Sequence, residues 1–273
     1  MGRLATSWDL TKTSWGVVKQ DKELLWMPIL SFIASIAVVL SIAGITFGLT
    51  PDLFTENGQW SPVNTVLALV AYLGLAFVGV YFHAAVVAAA HERLEGGDPT
   101  IGSALRAANQ HLGKLFLWSI LVATVNILLQ AVRERGGMVG QIAASIAGTA
   151  WNLATFFVVP HLVFSDDGVG SSLKHSGRLF KQRWGETVVG HIGIGFAMGV
   201  LTIAWVVVSL LLLALLSGLG IVGIVLGVVL LVGGVLLLTL VGSVLSAVYK
   251  AALYRYAQGQ NAGPFSGLEQ AAY

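Results

Sequence analysis

Gly170-Ser171-Ser172-Leu173-Lys174-His175-Ser176 repeats a pattern met 68 residues earlier, Gly102-Ser103-Ala104-Leu105-Arg106-Ala107-Ala108. Both read G-S-small-L-basic-x-small, and each lies between an acidic turn containing Gly or Pro and a long apolar run. At helical spacing Ile101, Leu105, Ala108, Leu112 and Leu115 share one stripe, with Arg106, Gln110 and Lys114 off it. Val169, Leu173, Ser176, Phe180 and Trp184 form the matching stripe, with Lys174, Arg178 and Lys181 off it. The N-terminus offers a third version in Leu4, Trp8, Thr11, Trp15 and Val18. Three amphipathic, basic helices, each followed by two apolar runs, predict one module used three times. Repeat 1 covers 1–97, repeat 2 covers 98–165 and repeat 3 covers 166–256, with a loose tail at 257–273.

The 273 residues are 56% hydrophobic and 10% charged, against about 25% charged in soluble domains. That is too little polar surface for a water-soluble chain of this size. The apolar residues come in uncharged blocks long enough to cross a hydrocarbon core of about 30 Å. The expected class is an all-α membrane protein forming a single membrane domain over 1–273. It has six transmembrane helices and three interfacial ones in a pseudo-threefold repeat. There is no cysteine, so disulfides, thiolate chemistry and Cys-ligated metals are excluded. The mixed polar start, ending near Leu24, is not a signal peptide.

The spans fall at about 24–49, 63–90, 114–132, 138–164, 187–216 and 220–249. Gly44 and Gly48 make a G-x-x-x-G that would admit a close neighbour. Asp98-Pro99 reads as the cap and first residue of the second amphipathic helix. Spans 5 and 6 are long enough to tilt or protrude; the alternative is a break near Gly233-Gly234. The N-terminus, the 91–114 and 165–186 links and the C-terminus hold 4, 3, 4 and 2 Lys or Arg, thirteen of fifteen. The positive-inside rule therefore places both termini and the amphipathic helices in the cytoplasm.

The span interiors carry no Asp, Glu, Lys or Arg, which argues against a proton-coupled transporter or a voltage sensor. Their polar residues include His83, Asn126, Gln130, Gln141, Asn152 and His191. His83, Asn126, Asn152 and His191 are candidates for a polar path, and hydrogen bonding between helices is the plainer reading. His91-Glu92-Arg93-Leu94-Glu95 starts like a zinc-protease motif but has Glu in place of the second His, so it lacks ligands. His161 with Asp166 and Asp167 has ligand-like residue types at a span end. No metal site is expected. No nucleophile elbow, phosphate loop or dinucleotide fingerprint is present, so an enzyme is not expected. Lys174, Arg178, Lys181 and Arg183 form a juxtamembrane basic cluster of the kind that binds anionic headgroups; the same residues also serve as a topology signal.

Two motifs carry a resemblance. Ser14-Trp15-Gly16-Val17-Val18-Lys19-Gln20-Asp21-Lys22-Glu23-Leu24-Leu25 followed by Pro28, and Lys250-Ala251-Ala252-Leu253-Tyr254-Arg255-Tyr256-Ala257, resemble the two ends of a prokaryotic family of multi-pass membrane proteins. That family is classed only as a domain of unknown function. The resemblance implies six spans in a cytoplasmic (inner) membrane and transfers no site. A weaker similarity is to the membrane domains of bacterial glycerophosphodiester phosphodiesterases, without their catalytic domain.

The expected function is a non-enzymatic membrane module, lipid-interacting or scaffolding, accessory in the cell envelope. The alternative is a channel or facilitator. Expected partners are anionic membrane lipids, with a second copy of the chain or another membrane protein; no nucleic acid and no cofactor is expected. Asn57→Cys should label from outside intact cells with a membrane-impermeant thiol reagent, and Gly97→Cys should not. The reverse pattern would overturn the orientation.

Overall fold

The computed structural model describes residues 3–49, 61–182 and 184–265, and the side chains among them except those of 3–7, 49 and 184–192. These residues are mostly helical, with no strand among them. The α-helices are α1 Arg3–Gln20, α2 Trp26–Leu49, α3 Pro62–Leu94, α4 Ile101–Asn109, α5 Leu112–Arg135, α6 Gly137–Ala154, α7 Val158–Phe164, α8 Val169–Gln182, α9 Trp184–Leu216 and α10 Ile221–Ala257. Six stretches among them are long and apolar enough to cross a membrane: Lys22–Gly48, Pro62–Leu94, Leu112–Arg135, Gly137–Phe164, Gly193–Leu219 and Ile221–Ala257. Their large side chains are widely exposed, such as Leu40, Val66, Leu128, Ile203 and Leu237. Apolar surface on that scale is what hydrocarbon, rather than water, accepts. The chain is an all-α membrane protein.

It divides into two compact units, one of Met1–Leu25, Ala89–Pro99 and Arg183–Tyr273, the other of Trp26–Ala88 and Thr100–Gln182.

The first unit is built on the α9/α10 hairpin. Both helices run unbroken, so the alternative of a break at Gly233-Gly234 is not taken. The glycines have a packing role instead. A side chain at Gly223 would strike the Leu216 backbone, one at Gly227 would strike Leu213, and one at Gly234 would strike the Trp205 indole. Small residues let two membrane helices approach this closely. The Trp205 indole N–H also donates to Leu230 O at 3.3 Å. Beyond Ser243, α10 is buried by protein: Val244, Leu245, Ala247, Val248, Tyr249 and Ala251 through Arg255 have almost no exposure. The length left over from the bilayer is thus a core helix.

Helix α1 packs on α9 and α10 through Leu10, Ser14, Val17 and Val18, spaced three and four apart. The stripe read from sequence divides between the two sides of this helix. Thr11 and Val18 are buried, while Trp8 and Trp15 are 51% and 38% exposed. The slim face suits close packing, and the indoles stay outside under lysines. Lys12 Nζ lies 5.7 Å from the Trp8 ring centroid, and Lys19 Nζ lies 5.7 Å from that of Trp15. At the other end, α10 closes on Gly259, where φ is +71°. Gly259 N–H donates to Tyr256 O and Gln260 N–H to Arg255 O, a Schellman turn that needs the left-handed residue. Residues 261–265 then fold back, with Ala262 and Phe265 buried.

The second unit holds a broken span. After α6 the backbone turns at 155–157 and restarts as α7. A break inside a membrane protein leaves peptide groups without intrahelical partners, and hydrocarbon offers none. Ser176 of α8 supplies them: its Oγ accepts from Phe157 N–H at 3.0 Å and donates to Ala154 O at 2.6 Å. Helix α5 packs on α6, with Trp118 stacked on Trp151 at 5.9 Å. Phe77 of α3 meets Phe116 of α5 edge-on at 5.6 Å, and Tyr81 donates to Asn109 Oδ1 at 2.9 Å. Helix α4 is capped by Thr100, not by Asp98: Thr100 Oγ1 accepts from Ser103 N–H, and Thr100 N–H donates to Ser103 Oγ. Ser at the third helical position makes that reciprocal box, so the helix starts two residues later than Asp98-Pro99 suggests. A Cβ added at Gly44 or Gly48 would meet nothing within 4 Å beyond its own helix turn, so their motif seats no helix among the described residues.

Ser176→Ala should lower stability by about 1–3 kcal/mol, the cost of orphaning buried peptide groups. Ser171→Ala, on the exposed side of the same helix, should stay within about 0.5 kcal/mol. Thermal unfolding of the detergent-solubilised protein measures both.

Candidate functional site

Helix α8 has two chemically distinct sides. Ser172, Ser176 and Leu179 are buried, while Lys174, Arg178 and Lys181 are exposed at i, i+4 and i+7. Leu173 and Phe180 flank the boundary, half-buried. The buried side of the helix is set by Ser176, which bonds the backbone of the broken span. Ser172 Oγ also donates to Gly168 O at 2.9 Å. None of the three basic side chains makes an ion pair or hydrogen bond among the described residues. Arg183 lies outside the described residues, as does the Trp184 side chain.

A histidine clasp fixes this helix. The His175 ring stacks on His161, with centroids 4.1 Å apart and 14° between planes. His161 Nε2 lies 2.8 Å from Asp167 Oδ2. Lys114 Nζ donates to Ser165 O at 2.9 Å, tying the start of α5 to the turn before α8. Asp167 thus serves an imidazole; Asp166 is exposed beside it. No three His, Asp or Glu side chains among the described residues are grouped to hold a metal ion.

The polar-path candidates separate. Asn126 and Asn152 come together in a cavity of about 790 Å³ between α3, α5 and α6. Leu69, Ile127, Leu129 and Trp151 supply its apolar wall; Tyr72, Gln130, Arg133 and Glu134 also line it. His83 is half-buried on α3 outside that lining, and the His191 side chain is not among those described. The sequence signal for the additional members is the spacing of Asn126, Gln130 and Arg133, one face of α5. It points nowhere until Asn152 on α6 is placed opposite.

The first unit carries a separate charge cluster. Arg255 is buried; its Nη1 donates to Glu95 Oε1 at 2.7 Å and lies 3.3 Å from His91 Nε2, and its Nε donates to Asn261 O at 2.9 Å. The hydrogen bond from Arg255 holds the Glu95 carboxyl below the usual range. Nearby, Arg93 Nε sits 3.6 Å from the buried Asp21, whose carboxyl burial pushes up against the pull of Arg93. The His91-to-Glu95 spacing that starts a zinc motif here grips a guanidinium. The cluster anchors the fold-back of 261–265.

Burial, and then the neighbouring His161, push the His175 imidazole below its ordinary value, with Asp167 opposing. A histidine depressed in the folded state is neutral in both states above its ordinary value of 6.5. As pH falls through that value the unfolded chain takes up the proton first, so stability is lost on the acid side. The parent should therefore lose more thermal stability between pH 7.5 and 5.5 than His175→Phe, and the difference between the two curves isolates this group. Parallel curves would remove the clasp from the pH response.

With the geometry placed, comparison with known proteins gives the family. No curated protein and no solved structure matches the chain, and no likeness to phosphodiesterase membrane domains is shown. A family profile described as "Family of unknown function (DUF6159)" matches residues 63–264. The Lys250–Ala257 motif falls inside the match and the Ser14–Leu25 motif outside it. The profile covers most of the chain, including both faces of α8 and the cavity, and on that ground the protein is a member of the DUF6159 family, a family of unknown function.

Proposed function

We propose that this chain is a non-enzymatic module of the cytoplasmic membrane of a prokaryote that binds anionic lipid through α8. One observation carries the reading: Lys174, Arg178 and Lys181, with no ion pair or hydrogen bond among the described residues, stand on the outer face of a helix whose inner face is bonded to a broken span. A rigidly mounted row of cations is suited to headgroup phosphates, and arginine can make two bonds to one phosphate. Attraction to an anionic leaflet is worth about 1 kcal/mol per basic residue near the surface, less where salt screens it. Both termini and α8 lie in the cytoplasm on this reading, as the distribution of Lys and Arg requires.

Two features support the rest. The titratable clusters are engaged in holding backbone and helices, which favours a structural module over a catalyst. The small positions Ala104 and Ala108 of α4 and Ser172 and Ser176 of α8 are 68 apart in sequence and all buried, which favours a common module behind the amphipathic helices. The channel alternative draws on Asn126 and Asn152 alone, since His83 is outside the cavity lining.

Neutralising Lys174, Arg178, Lys181 and Arg183 to Gln should reduce the anionic lipid carried through purification by about tenfold, with the spans still inserted. Mass spectrometry of lipid extracted from parent and quadruple variant measures it. Unchanged anionic lipid would leave the cluster a topology signal only.

A further inference from the structure

We infer that the cavity between α3, α5 and α6 is a binding site for the headgroup and ester region of a zwitterionic phospholipid. This deepens the lipid reading and rests on it, but it uses different residues and a different lipid from α8.

The position comes from helix geometry. From Lys114, tied to the turn before α8, α5 rises to Arg133 over about 28 Å. That is close to the thickness of a hydrocarbon core, about 30 Å. Arg133 and Glu134 therefore stand at the headgroup level of the leaflet away from α8. Asn126 lies about 10 Å deeper along α5, at the depth of glycerol esters and the first acyl carbons.

The chemistry grades along that depth. At the mouth, Arg133 has no ion pair among the described residues, and Glu134 Oε1 accepts only from Gln130 Nε2, at 2.6 Å. Opposite charges on adjacent residues match a phosphate and an ammonium joined by a short linker, and they give a purely anionic headgroup no net attraction. Deeper, the carboxamides of Asn126 and Asn152 make no hydrogen bond within the described residues. Asn126 can donate to an ester carbonyl, while Asn152, about 24 Å along α6 from the turn at Gly136, lies further into the core. Left facing hydrocarbon, an unpaired amide costs several kcal/mol, so the cavity favours an occupant that carries acceptors to this depth. Alongside them Leu69, Ile127 and Leu129 offer an apolar wall. Trp151 completes it, held in place by its stack on Trp118. Water would satisfy the amides but wet that wall. A phospholipid satisfies both.

The test uses the full chain in mixed micelles holding equal phosphatidylethanolamine, phosphatidylglycerol and diacylglycerol of matched chains, with bound lipids counted by native mass spectrometry. The parent should retain phosphatidylethanolamine over diacylglycerol. The double variant Asn126→Leu with Asn152→Leu should lose about tenfold of it, the worth of one net hydrogen bond of ordinary strength or slightly more, and keep phosphatidylglycerol. Arg133→Gln with Glu134→Gln should abolish the preference over diacylglycerol. Gly148 lines the same cavity, and a Cβ there would meet Leu129 Cδ1 at an ordinary 3.5 Å. Gly148→Leu should therefore fill the space without touching a polar group and give the same loss, which decides the matter if the double variant does not fold. Neutralising the α8 cations should do the reverse, removing phosphatidylglycerol and sparing phosphatidylethanolamine, so the two readings fail separately. Phosphatidylethanolamine unchanged by both cavity variants would overturn the inference. So would equal retention of diacylglycerol by the parent, or a dimer of the parent that the cavity variants dissolve, which would mean a second copy covers the amides.

Discussion

A membrane helix that stops partway must find partners for the peptide groups it frees, and in the second unit one hydroxyl meets that requirement. Ser176 stands where the break between α6 and α7 leaves Ala154 O and Phe157 N–H open, and it serves both at once. Much else in that unit follows from this one constraint. The serine must be within bonding distance, so α8 lies on the broken span with its small residues inward. The basic residues are then turned outward by helix periodicity, without any partner of their own being needed. The His161–His175 stack and the Lys114–Ser165 bond hold the same geometry from either side.

The charged residues follow a matching logic. None lies in the middle of a span, where its desolvation would be severe. Two that are buried are paired at the ends of helices, Arg255 with Glu95 and His91, and Asp21 with Arg93. One partner of the Arg255 pair, Glu95, is half exposed, which spares the chain the full cost of an ion pair in a dry interior. Among the described residues Lys174, Arg178 and Lys181 on α8 and Arg133 at the cavity mouth make no ion pair and are exposed.

The spans were legible from the residues alone, and so was the basic character of α8. The inner face of α8 was not. The stripe read from sequence runs through Val169, Leu173, Ser176 and Phe180; of these only Ser176 is buried, beside Ser172 and Leu179, because its hydroxyl bonds the backbone break. In α1 the side that packs on α9 and α10, Leu10, Ser14, Val17 and Val18, likewise shows only in the fold, because the tryptophans dominate the periodicity and stay on the surface. Asn126 and Asn152 could be named as polar residues in spans, but not joined, and His83, of the same type, is absent from their cavity.

The sequence by itself determined six apolar segments, their lengths and the charge that flanks them, because hydrophobic length and charge add up residue by residue along a chain. Tertiary structure alone decided which serine heals which break, that the His91–Glu95 pair holds Arg255 across 160 residues of sequence, and which amides share a cavity. Those depend on distances between groups remote in the chain, and no local periodicity encodes a distance between two helices.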